Sequence, residues 1–365
     1  MEIINELGCM PTLNFQHSWK PPEEVQGVYA QTLRKEYFER NYACFRCSVA
    51  CGQSAKVKLG EFAGAASRPE YESIGMLGPS CGLNRMDAVI AADEMCNELG
   101  MDTITSGNLV ALVMELFEKG LVSADENEGL AVHFGNGQAM LQMLQFIAER
   151  RGLGKIIANG VKGIIEARPQ WKAFICHVKG LPFPAYDPRG FHGMGLAYAT
   201  SSRGACHNVG GYTVSGELLS DNYDRYALKG KSELVKSLQD NRAYVDSLGI
   251  CTVVRGAYGF GTRPPAETML VVTGYDFAPH LMIIGERIIN LERSILMREG
   301  IGRKDDDLPP RMKEPIPEGP AAGRFISDKM LNEMLDEYYD VRGWEENGKP
   351  LPATLERLEL KEFLS

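Results

Sequence analysis

No apolar run in these 365 residues approaches the roughly 20 that a helix needs to cross a bilayer. The amino-terminal MEIINELGCMP lacks both the basic start and the apolar core of a secretory signal. Basic residues are in deficit too: 39 Lys and Arg stand against 48 Asp and Glu, a formal charge of −9. A nucleic-acid binder carries a basic stripe or patch and an anionic membrane attracts the same, so this balance argues against both as partners. A cytoplasmic chain working on small molecules or a protein partner is the expectation. Disulfides are not expected either, because nine cysteines are scattered unevenly along a long chain without an export signal. No repeat period emerges and long strands are scarce, which makes the class mainly α. The length favours two domains over one.

What is present is a close set of thiols. Residues 41–52, NYACFRCSVACG, place Cys44, Cys47 and Cys51 in a CxxCxxxC spacing. Three thiolates so placed converge on one small inorganic body, and a [4Fe-4S] cubane as a rule takes four. Cys96 and Cys176 lie in apolar patterns and read as small buried hydrophobes. Cys251, in YVDSLGICTVV, follows a helix end at Gly249 and is the best candidate for the fourth ligand.

Along the chain, a turn-rich start leads into a polar helical run from Glu23 to Arg40. After the cysteine loop comes a short extended passage, then a helix beginning near Ser73, where Gly75 and Gly78 suggest close backbone approach. Further helices are expected over Met86–Leu99, stopped by Gly100, and over 104–119, with Ser106 or Asn108 as cap. Others are expected over 138–150, 155–167, 231–246, 266–273, 279–298 and 327–339. The Pro- and Gly-rich stretch 180–195 changes the character of the chain, so the two domains are expected over 1–175 and 176–365.

Two helix ends share a frame. Asn97-x-x-Gly100-Met101-Asp102 matches Asp246-x-x-Gly249-Ile250-Cys251. Such ends could present paired polar groups to one ligand from two sides; two unrelated helix caps is what the spacing by itself favours.

These stretches in combination resemble the aldehyde:ferredoxin oxidoreductases, in their C-terminal part. NELGCMPTLNF, CFRCSVAC, PEYESIGMLG, ELGMDTITSGN, GLPFPAYDPRG, GLAYATSSRGACH, DSLGIC and GERIINLERSILMREGIGRKDDDLPPR carry the likeness over nearly the whole chain. The resemblance implies two helical domains with a [4Fe-4S] cluster between them, bound by Cys44, Cys47, Cys51 and Cys251. It also implies a tungsten (or molybdenum) bis-pterin contacted from the two frames, where a carboxylate matches the two donors of an aminopyrimidine edge in a fork. Asp246 suits that role and Asp102 keeps its carboxylate, but Asn97 stands where an acid is expected. The implied reaction oxidises a small aldehyde to a carboxylic acid and passes electrons through the cluster to ferredoxin or a similar acceptor. Glu70 and Glu72 in PEYES are the candidate acid/base carboxylates and His207 in RGACH the candidate imidazole, each weighed against a helix cap or a satisfied polar group. Arg203, and more weakly Arg189, are candidates for steadying pterin phosphates; structural carboxylate pairing is the competing role. The family's amino-terminal β-rich domain has no counterpart in this sequence, so a separate chain supplying it is an expected partner, and a non-catalytic iron-sulfur electron-transfer subunit or an inactive fragment is the alternative function. No ExxH pair occurs, so no metal bridging a dimer is expected, and homodimerisation is left open.

Overall fold

A computed structural model describes residues 1–220, 222–257 and 263–363. It is mainly α, and its contacts divide it into two compact units. The first comprises Met1–Arg46, Ala50–Gly190 and Leu308–Ile326; the second comprises Cys47–Val49, Phe191–Asp307 and Ser327–Ser365. Against the boundary expected at 175/176, the contacts carry the first unit on to Gly190 and add the Pro-rich strap from 308 to 326.

In the first unit, strands β1 (Phe38–Tyr42), β2 (Gly52–Lys56) and β3 (Ala66–Ser67) form an antiparallel sheet in that order. Tyr42 pairs with Gly52, so the cysteine-bearing loop is the tip of the β1–β2 hairpin. The continuous helix expected from Glu23 to Arg40 is not formed. Short helical turns occupy Pro22–Tyr37, and Phe38–Tyr42 is extended because its polar residues find a pairing partner across the cysteine loop. Helices α1 (Tyr71–Leu77), α2 (Met86–Glu98), α3 (Thr103–Glu118), α4 (Gly137–Glu149) and α5 (Gly160–Ala167) follow, α1 packing on α3 and α2 on α4. Around them a single apolar cluster includes Val89, Leu112, Met140, Ile164 and Trp171. Helix α3 is buried on nearly every side from Ser106 to Leu116, which makes it the axis of this unit. Its cap is neither Ser106 nor Asn108, both of which lie inside it, but Asp102, whose Oδ2 accepts the Thr105 N–H at 2.7 Å. Two short strands, β4 (His177–Val178) and β5 (Leu181–Pro182), open the Pro- and Gly-rich stretch.

The second unit is built on α6 (His192–Thr200), α7 (Lys231–Ser247), α8 (Arg263–Thr273), α9 (Leu281–Arg298) and α10 (Asp328–Arg342). Helix α7 packs against α6, α9 and α10. Gly285 of α9 lets the helices approach closely, since a Cβ there would meet the Asp240 carbonyl oxygen of α7. A buried polar seam ties them: Arg342 of α10 bonds Asp240 and, at 2.6 Å, the Gln239 side-chain oxygen, both on α7. No helix among the described residues is long and apolar enough to cross a membrane.

Candidate functional site

The two sequence frames fold alike, each in its own unit. Helix α2 ends at Leu99 (φ −84°, ψ −2°) with Gly100 at φ +69°; α7 ends at Leu248 (φ −84°, ψ −7°) with Gly249 at φ +67°. Only glycine takes that left-handed turn without steric cost, so the motif glycines set the direction in which each chain leaves its helix. In each frame the first residue is held by the one four positions before it. The Asn97 amide donates to the Asp93 carbonyl at 2.7 Å and to its carboxylate at 3.3 Å. The Asp246 carboxylate accepts from Arg242 Nε at 2.8 Å. One helical turn before Asn97 lies Asp93, a buried carboxyl whose pKa burial pushes up, with Ser73 and the Arg68 N–H opposing the shift.

Helix α1 carries both candidate acids. Glu70 is its N-cap residue without a side-chain cap bond, and it lines a cavity of about 180 Å³ that Cys51, Gln53 and Tyr71 also line. Loss of water, then the Asp93 carboxylate, push the Glu70 pKa up. Glu72 does not cap the helix. Its Oε2 accepts the Ala185 N–H at 2.6 Å, while the Tyr71 hydroxyl donates to the Ala185 carbonyl at 2.9 Å and the Tyr71 ring stacks on Tyr186 at 4.9 Å. PEYES and PFPAYD are thus clamped together through one residue. Gly75 makes the clamp fit, because a Cβ there would come within 2.4 Å of Ala185 Cβ. Withdrawal from water pushes the Glu72 carboxyl up to about 8, the Ala185 N–H opposing and Asp102 adding to the shift. A carboxylic acid that keeps its proton near neutrality is suited to acid/base work.

In the second unit, His207 is placed by a chain of contacts. Its Nε2 meets Asn208 Nδ2 at 3.1 Å, Arg242 Nη1 donates to Asn208 Oδ1 at 3.3 Å, and the same guanidinium bonds Asp246 and Thr252. Burial first, then the charges of Arg242 and Arg203, push the His207 imidazole down to about 4. The structure therefore joins RGACH to DSLGIC through Asn208 and Arg242, two residues the sequence reading did not single out. The visible signal was Arg242 four positions before Asp246 on one helix face. Arg203 is exposed. Arg189 takes the structural role: it is buried, paired with Asp187 at 2.6 Å, and donates to the Phe15 carbonyl at 2.6 Å.

All nine cysteines are free thiols. Cys44, Cys51 and Cys251 are exposed and Cys47 is half-buried, whereas Cys9, Cys81, Cys96, Cys176 and Cys206 are buried. Burial pushes the Cys96 thiol up to about 11, that of Cys176 up to about 12, and that of Cys81 up as well. The donor chemistry at 44, 47, 51 and 251 fits an iron-sulfur group, since these are the thiols that keep access to water and to metal. Among the described residues, no group of three His, Cys, Asp or Glu side chains is gathered tightly enough to hold a single metal ion.

Residues 1–360 match the family described as "Aldehyde ferredoxin oxidoreductase, domains 2 & 3". The chain belongs to the aldehyde ferredoxin oxidoreductase family. It is 38% identical over 371 residues to a tungsten-containing aldehyde ferredoxin oxidoreductase of Pyrococcus furiosus, covering all of this chain and 59% of that protein. Against the enzyme of the same description from Thermococcus kodakarensis it is 37% identical, with the same coverage. The chain thus spans about 59% of the length of these relatives. Among solved structures, the active-site complex BamBC of benzoyl coenzyme A reductase with 1,5-dienoyl-CoA shares the fold. Its TM-score is 0.76 at 17% identity, over 99% of this chain and 59% of that one.

Proposed function

We propose that this member of the family takes part in oxidising an aldehyde to a carboxylic acid, with a tungsten or molybdenum bis-pterin bound at the Asn97–Asp102 and Asp246–Cys251 frames and a [4Fe-4S] cluster at Cys44, Cys47, Cys51 and Cys251. The observation that carries the reading is the pair of matching helix ends, in a chain of this family, each fixing a polar side chain from four residues back. When bound, the metal-pterin supplies the two-electron chemistry by which an aldehyde and water give a carboxylic acid, two electrons and two protons, the cluster letting the electrons leave singly for ferredoxin.

The chain's own residues handle the protons and the fit. Glu72, with its carboxyl near 8, is mostly protonated at neutral pH and close enough to its midpoint to exist in both forms. It can donate to the aldehyde oxygen as its charge develops and, once ionised, take a proton from water. His207, pushed down to about 4, is a neutral imidazole at physiological pH and serves as a hydrogen-bonding group that orients the substrate. Asp246 offers a carboxylate to the aminopyrimidine edge of one pterin. Asn97 offers a single carboxamide oxygen to the other, a weaker and uncharged acceptor, so the two pterins are held unequally.

Anaerobic purification of the chain, alone and together with the additional segment carried by its longer relatives, tests this. The expected result is about four irons per chain, tungsten or molybdenum with pterin in the combined sample, and aldehyde-dependent dye reduction. Iron without tungsten, molybdenum or pterin in either sample would overturn the oxidase and leave an electron-transfer subunit.

A further inference from the structure

The charge of this protein is not evenly spread. Between residues 34 and 68 lie seven Lys and Arg against three Glu, in a chain whose formal charge is −9. All seven are exposed, and they lie on and beside the β1–β2 hairpin. One of the three acids, Glu61, is already engaged by Arg85 at 2.9 Å. Strand β1 is the edge of its sheet and is exposed along Glu39–Tyr42. At the tip, between two residues of the cysteine motif, Phe45 is 88% exposed. Three guanidiniums lie over aromatic rings here: Arg34 over Phe38 at 5.2 Å, Arg46 over Phe45 at 5.1 Å and Arg68 over Tyr42 at 3.6 Å. Such pairs hold the cation and the ring in place before a partner arrives, and Arg, Tyr and Phe are enriched where proteins recognise one another.

We propose that this hairpin face is the docking surface for a small acidic electron-carrier protein, with Phe45 as its apolar anchor. The inference rests on the reading of the loop thiols as iron-sulfur ligands. A carrier seated on the tip would bring its own centre against the loop that holds Cys44 and Cys51, both exposed. Charge selects the class of partner. The positive face is short, since a five-residue strand is roughly 17 Å long, and the rest of the chain is acidic. A compact acidic protein meets only the positive face, whereas an extended polyanion would run onto repelling surface. Redox encounters use small interfaces of this kind, steered by charge and sensitive to salt.

The test uses the full chain and a small acidic [2Fe-2S] ferredoxin as probe, with affinity measured at low and at high salt. Reversing two charges on the strands (Arg40→Glu with Lys56→Glu) is expected to weaken binding at least about tenfold and to flatten the salt dependence. Phe45→Ala is expected to weaken binding with the salt dependence retained. Lys304→Glu with Lys329→Glu, two exposed lysines of the second unit, is expected to change neither. Hairpin variants that bind as tightly as the parent, or control variants that lose as much, would overturn the surface. So would a single-stranded DNA oligonucleotide that displaces the ferredoxin and depends on the same side chains. Metal and aldehyde-oxidation assays on the same preparations report separately on the proposed activity. A chain without tungsten or molybdenum that still binds the carrier through the hairpin loses the oxidase reading and keeps the surface.

Discussion

Glu72 ties the proposed chemistry to stability through a single proton. Its carboxyl ionises near 8 in the folded chain and near 4.5 when unfolded. Between those values the folded state holds a proton that the unfolded state has lost. The contribution is therefore complete below about pH 4.5, declines as pH rises toward 8, and is gone above it, at roughly 1.4 kcal/mol per pH unit. Glu72→Gln keeps an acceptor for the Ala185 N–H and removes the titration. Urea-midpoint measurements between pH 5 and 9 should show a flatter slope and a stabilised variant at the alkaline end; equal slopes would mean that the carboxyl is not withdrawn from water. His207 responds to its neighbours in the opposite sense. Arg242→Gln removes a cation that disfavours the imidazolium, so the ring should titrate higher than about 4, as read from its proton resonances in an NMR pH series. Both candidates were legible as residue types in family motifs. Their environments were not, because Ala185 lies 113 residues from Glu72 and Arg242 lies 34 residues beyond Asn208. No local pattern carries such contacts.

Helices whose ends are marked by glycine were legible to within a few residues: α2 stops before Gly100, α7 before Gly249 and α9 before Gly300. The hairpin was not. FERNY has no apolar alternation, its exposure is nearly uniform, and the register shifts between Phe38 and Arg40, so its strand character comes from pairing with residues 52–56. The overall acidity of the chain likewise masked a local basic excess over residues 34–68, which strand pairing gathers onto one exposed hairpin. The cap of α3 is ambiguous in sequence because TSGN offers several cap-like residues, and the structure gives the position to Asp102 just before them. Asp102→Ala should cost about 1 kcal/mol through that cap, measurable as a lower urea midpoint in the absence of any cofactor. Gly75→Ala should cost more, about 1–3 kcal/mol. The added methyl would press on Ala185 and open the PEYES–PFPAYD clamp, and its signature would be faster hydrogen exchange at the Ala185 amide. Unchanged exchange there would argue that α1 shifts bodily instead.

At the scale of the molecule, the first unit is completed by residues far along the chain. The strap from 308 to 326 returns to it, and Arg311 meets the buried Glu115 carboxylate of α3 at 2.7 Å, with Asn14 donating to the other oxygen at 2.6 Å. Arg311→Met should destabilise by about 3 kcal/mol, because it takes the nearer cation from a buried carboxylate and leaves it Asn14 and, at 3.7 Å, Lys119. The double change with Glu115→Leu should recover much of the loss, and a double-mutant cycle in urea would show whether the two residues act as a pair. The same connection bears on synthesis. Arg311 follows Glu115 by 196 residues, so at ribosomal speeds the carboxylate waits roughly 10–40 s for its partner to be made. During that interval Glu115, on the helix around which the core is built, has Asn14 and the more distant Lys119 beside it but still lacks the guanidinium that meets its other oxygen in the folded unit.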